Sequence, residues 1–175
     1  MKDLLLMYAK YTQRADASVI ALLDGLSEEA RNENRKSYYK SLSSLACHVF
    51  GVVPFFHGLL RTAVPAASST LKATEGLKVP RGDCLSADQW SELKKVAQVA
   101  DQATVDFIAG LAESDFVRPV KVAWFGGKPD AVPLHYLLST TVTHGIHHRG
   151  QISQILDEMG IEHNFSGLDV GFLPK

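Results

Sequence analysis

At 175 residues the chain is long enough to bury a real core and reads as one domain, residues 1–175. Its 46% hydrophobic and 21% charged residues are an ordinary globular balance. A net charge of −1 gives no general attraction to nucleic acid or an anionic membrane, and no apolar run nears the roughly 20 residues of a membrane span.

The first helix is expected from Asp3, a fitting N-cap, to Leu26, with Leu5, Tyr8, Thr12, Ala15, Val19, Leu22 and Leu26 on its inward face. No cleavage-site pattern follows the short apolar start, so no signal peptide is read. Residues 27–36 are polar and suit a solvated connection with a short helical turn. A second helix is expected over residues 38–61, its stripe formed by Ser41, Leu45, His48, Val52, Phe55 and Leu59. His48 therefore faces inward. His57, nine residues on and half a turn around, is expected at the surface. Pro54 lies inside this pattern, where it should kink or loosen the helix just past His48. Cys47 reads as a buried, inert thiol. With Cys84 it forms no metal or redox spacing, which points to a reducing cytoplasm.

Residues 62–85 lose periodicity, and a link of this length suits a crossover between parallel helices. Ser86 and Gln89 form a capping-box pattern at the start of the third helix. Its inward face is Trp90, Leu93, Ala97, Ala100, Thr104, Phe107 and Leu111, without a histidine. Residues 113–132 are irregular, and Val120–Trp124 followed by Gly126-Gly127 resembles a short hairpin whose tip, with Trp124 and Phe125, would either lie near the entrance of a site or pack onto the end of the bundle. The fourth helix runs from Pro133 to a Gly160 cap, and a tail of low regularity follows.

That fourth helix carries the chemistry. His144 and His148, four residues apart, share one face with Leu134, Leu137, Thr141, Gln151, Ile155 and Met159. Two imidazoles on a mostly apolar stripe need partners for their polar nitrogens. Metal ligation and a pair of hydrogen-bonded core histidines both answer that need. Four helices with such stripes give an all-α four-helix bundle, in which His48 joins His144 and His148 from a second helix. Three neutral imidazoles leave coordination positions open and suit zinc, nickel, copper or iron, with zinc or nickel preferred. The His-Glu-x-x-His zincin pattern fails because Gly145 stands where the glutamate is required. Gln151 faces the site and is the candidate to bond an imidazole or orient a ligand. His147 points away from the ligand face, Arg149 suits a salt bridge or helix packing, and Gly150 suits close helix approach. His135 and His163 fall off the site.

The run His144-x-x-His147-His148-Arg149-Gly150-Gln151-Ile152 within Leu134–Gly160, together with Leu45-Ala46-Cys47-His48-Val49, resembles the DinB family. The chain departs from many members in lacking a tryptophan after His48. The resemblance implies a four-helix bundle with a long crossover and a divalent metal on His48, His144 and His148. It also implies a homodimer, and it reaches toward metal-dependent hydrolases and transferases of small thiols. Two classes follow: a catalytic metal site acting on a small-molecule substrate, by thiol transfer or by hydrolysis, and a non-catalytic metal-binding protein of a stress response. The absent glutamate base tilts the choice toward a low-molecular-weight thiol as nucleophile. Binding to DNA is not expected, since the chain has no basic helix.

Overall fold

The computed structural model describes residues 1–122, 131–165 and 167, and the chain is mostly helical. Four long helices, α1 (Lys2–Asp24), α3 (Leu42–Ala63), α4 (Ala87–Gly110) and α5 (Leu134–Glu158), are accompanied by the short α2 (Glu28–Asn32). α1 packs mainly on α4 and α5, and α3 packs on the same two. Two 3-10 helices, Thr70–Thr74 and Glu113–Val117, lie in the links, and the first packs against α4. A two-stranded antiparallel pair, β1 (Pro119–Lys121) and β2 (Ala131–Pro133), brings Val120 opposite Val132, both buried. The Gly126-Gly127 tip with Trp124 and Phe125 lies outside the described residues.

Local sequence explains the helix ends. Ser86 Oγ accepts from Gln89 N–H while the Gln89 side chain accepts from Ser86 N–H, the reciprocal cap expected there. Gly160 takes φ +70°, and Ile161 N–H returns to the Leu156 carbonyl at 2.9 Å, closing α5 as a glycine cap does. Pro133 is the N-cap of α5. At the start of α1 the N-cap is Met1, and Asp3 sits in the first turn. The buried sector of α1 also differs from the expected stripe. It takes in Ala9, Asp16, Ile20 and Leu23 because this helix is covered from two sides, by α4 and α5.

α3 has the length and average apolarity of a membrane span, which a count of uninterrupted apolar residues overlooks. Yet it carries Ser43, Ser44, His48 and His57, and half of the apolar stretch is buried against the rest of the chain. Burial around the helix is broad: Leu42, Leu45, Ala46, Val49 and Phe50 are all enclosed.

Two apolar clusters divide the interior. One gathers the beginning of α1 and α5 with the ends of α3 and α4 around Phe107, Phe116, Leu60 and Leu134. The other gathers the end of α1 and α5 with the beginnings of α3 and α4 around Leu23, Phe50, Trp90 and Ile152. α1 and α5 therefore run from the first cluster to the second, and α3 and α4 run the other way. Between the clusters each helix contributes polar groups: Thr12 and Asp16, His48, Asp101 and Thr104, and His144, His148 and Arg149. The tail also joins the core, since Phe165 is buried and its carbonyl accepts from Tyr11 Oη at 2.6 Å.

Candidate metal centre

His48 from α3 meets His144 and His148 from α5 in this polar layer. One ring nitrogen of each lies within 4.8 Å of the others. His144 Nε2 and His48 Nε2 are 2.9 Å apart, and the His144 and His148 ring centres are separated by 4.4 Å. The pair on α5 shares a face because four residues make slightly more than one turn. The third reaches them because α3 and α5 pack side by side.

Burial makes the cluster electrically neutral. Desolvation lowers His48 and His148 below the usual imidazole range, with His148 adding to the effect on His48. His144 is pushed down to about 4 by desolvation, then by the neighbouring His148, His48 and His147. Metal ligands must be unprotonated, so these rings are ready to bind without releasing protons at neutral pH. The Nδ1–H of His148 donates to Gln151 Oε1 at 2.6 Å, which turns its Nε2 lone pair toward the cluster. Two nitrogens bound to one tetrahedral ion at ~2.0–2.1 Å stand ~3.3 Å apart, near the 2.9 Å between His48 and His144 Nε2 and within the 4.8 Å span of the three. An all-imidazole donor set fits a borderline divalent ion.

Tyr39 forms the roof. Its ring stacks on His48, with 4.7 Å between centres and a 30° tilt, and it meets His148 edge-on at 5.4 Å. It borders two cavities that flank the cluster. One, of about 650 Å³, touches His48, and the other, of about 250 Å³, touches Gln151. The sequence pattern overlooks Tyr39 because the helix expected over 38–61 leaves it off the inward stripe, whereas α3 begins at Leu42 and Tyr39 precedes it on an irregular segment. Its only local signal is the Tyr38-Tyr39 pair just ahead of the helix N-cap at Ser41.

Other residues singled out in the sequence fall as follows. His57 is a correction: it is 1% exposed, not at the surface. Its Nε2 lies 2.8 Å from Thr104 Oγ1 and its Nδ1 3.2 Å from Thr74 Oγ1. The 3-10 helix of the long link and α4 cover the side of α3 that the periodicity leaves open. Gly150 is a second correction, since a Cβ there would meet nothing within 4 Å. Gly145 carries the close approach instead: a Cβ would lie 2.9 Å from Arg149 Nη1. The guanidinium of Arg149 thus folds back over the position where a zincin holds its glutamate. Arg149 Nη1 donates to Asp16 Oδ1 at 2.7 Å, with both groups buried and the Tyr11 ring 5.2 Å away. His147 is exposed, His135 Nδ1 donates to the Phe116 carbonyl, and His163 Nδ1 to the Ile161 carbonyl. Cys47 is buried beside His48, and desolvation pushes its thiol up to about 11, so it stays protonated.

The buried carboxylates escaped the sequence reading. Burial raises Asp16 to about 6 against the pull of Arg149, and Asp101 rises well above the carboxylate range through burial and the nearby Asp16. Both sit on otherwise apolar helix faces, and an aspartate inside such a stripe was the available signal. A family model described as the DinB family matches residues 1–168. No curated protein and no solved structure matches the chain. The chain belongs to the DinB family.

Proposed function

We propose that this DinB-family chain binds one divalent metal ion, zinc or nickel, on His48, His144 and His148 and transfers a low-molecular-weight thiol to an electrophilic small molecule. The observation that carries the reading is the convergence of three neutral imidazoles from two helices, without a carboxylate among the clustered donors. When bound, the ion supplies Lewis acidity that lowers the pKa of a thiol or water at its open position. The residues of the chain do the rest. Gln151 holds the His148 ring in one tautomer and orientation. Tyr39 shields the imidazoles from bulk water on one side. The large cavity admits substrate along the His48 edge. The new S–C bond forms as the bond to the leaving group breaks, and the thiol proton passes to solvent.

Hydrolysis is the runner-up, and a non-catalytic metal-binding role in a stress response is the third reading. Water activation needs a base, and the one carboxylate bordering the large cavity among the described residues, Asp83, is paired with Lys40. The opposed helix directions support a four-helix bundle whose 64–86 link is the crossover, forming a single domain over 1–175. We read the protein as a cytoplasmic homodimer acting on small molecules, without a nucleic-acid or membrane partner. Two unpaired cysteines agree with a reducing compartment.

The test is metal analysis after reloading, followed by a panel of small thiols against halogenated and epoxide electrophiles. His48→Ala, His144→Ala and His148→Ala should each lose most of the metal, while His135→Ala retains it. Wild-type stoichiometry in His148→Ala would reject the three-histidine site. Equal rates with and without metal would reject the transfer chemistry, and metal-dependent ester cleavage without thiol would favour hydrolysis.

A further inference from the structure

The cavity beside His48 has a volume typical of small-molecule sites, about 650 Å³. One side is apolar, with Val52, Pro54 and Phe55 from α3 facing Val79 and Pro80 from the link. The link is fixed at this point. A Cβ on Gly51 would come within 2.5 Å of Val79 Cγ1, so the absent side chain is what lets the wall lie against α3. Ser41 Oγ donates to the Asp83 carbonyl, and Lys40 Nζ pairs with Asp83 Oδ2 at 2.8 Å. That pair neutralises the acidic group of the wall. Arg81, two residues earlier, lines the mouth of the same cavity as an exposed side chain and has no ion pair among the described residues. The lining thus combines an apolar surface, one uncompensated guanidinium and, at His48, the edge of the metal cluster.

We propose that this cavity selects small amphiphiles bearing a carboxylate, with Arg81 gripping the carboxylate and the Phe55–Val79 surface holding the apolar body. Guanidinium presents parallel N–H donors that match a carboxylate's two oxygens, and at the exposed mouth of the cavity this bidentate geometry gives the pairing its selectivity. Arg81 is then the specificity-determining residue, and the end of the molecule away from it lies toward His48. The direction of binding rests on the thiol-transfer reading, but the carboxylate preference does not.

Two matched probe pairs separate these claims. Mercaptohexanoate and mercaptohexanol are titrated into cobalt-loaded protein, following the thiolate-to-cobalt absorption band. Hexanoate and hexanol are titrated into metal-free protein by calorimetry. The wild type should favour each acid over its alcohol by about fivefold, the upper scale of a solvent-exposed ion pair. Arg81→Gln should erase the preference, Arg81→Lys should keep part of it, and cobalt stoichiometry should stay at the wild-type value in both. Equal affinity for acid and alcohol in the wild type, or a preference that survives in Arg81→Gln, overturns the proposal. If neither thiol alters the cobalt spectrum, the thiol reading fails, and the hexanoate pair alone then decides the carboxylate site by the same two criteria.

Discussion

Single buried polar residues are held by partners that can be counted. His57 is enclosed between Thr74 and Thr104, whose hydroxyls also lie within bonding distance of the Leu71 and Ala100 carbonyls. A neutral ring offers one donor and one acceptor, so one threonine must turn its proton to the ring. Burial, aided by the Arg61 charge, lowers His57 to about 4. A folded-state pKa below the unfolded value of 6.5 means that the folded chain prefers the neutral ring. The stabilisation is complete above pH 6.5 and is lost as pH falls toward 4, by about 3 kcal/mol. Asp16 acts in the opposite sense, because a raised carboxyl pKa destabilises the fold as pH rises from 3.8 to about 6. The comparison must therefore be differential: urea melts of wild type and His57→Gln should diverge above pH 6.5 and converge toward pH 4, and the variant should retain wild-type metal content. A gap independent of pH would show that folding does not lower the His57 pKa. Gln151 acts on the cluster through one hydrogen bond to His148. Gln151→Ala should weaken metal affinity roughly 10-fold or more while keeping one ion per chain, read by competition with a chromogenic chelator.

At the scale of elements, Gly51 and Val79 define how closely the link approaches α3. Gly51→Ala puts a methyl against Val79 Cγ1, a stiff branched side chain, and the wall must shift outward. The variant should lose about 1–3 kcal/mol, and adding Val79→Ala should restore part of it. Additive losses in that double-mutant cycle would mean the contact does not set the wall. Such a contact is invisible in sequence, since it joins a helix to an aperiodic link. What is legible is local. The Ser86–Gln89 cap, the Gly160 stop and the three-four stripes of α4 and α5 depend on neighbours within a turn or two. His144 and His148 are readable for the same reason. His48 is readable because its stripe faces α5, whereas His57 is misread because the other side of α3 is also covered, by a link without periodicity. Tyr39 and Arg81 lie in such links as well, so the centre of the site can be named from sequence and its walls cannot.

At the scale of the whole molecule, a polar layer separates two apolar clusters, and the buried Arg149–Asp16 ion pair within it joins α1 to α5. Assembly beyond one chain follows from the family reading, and sedimentation at micromolar concentration should show a dimer. A monomer under those conditions would remove that part of the proposal. The nitrogen contact between His48 and His144 spans 96 positions of chain. A contact of such high sequence separation cannot form early, because most of the chain must be placed before its two sides meet. During synthesis the N-terminal side of the cluster emerges long before its partners on the last helix. An incomplete chain, however well its first three long helices associate, offers an ion a single imidazole from this cluster. On the proposed reading, ion capture would report completed assembly, because the three imidazoles form one set only when the final helix has docked against α3.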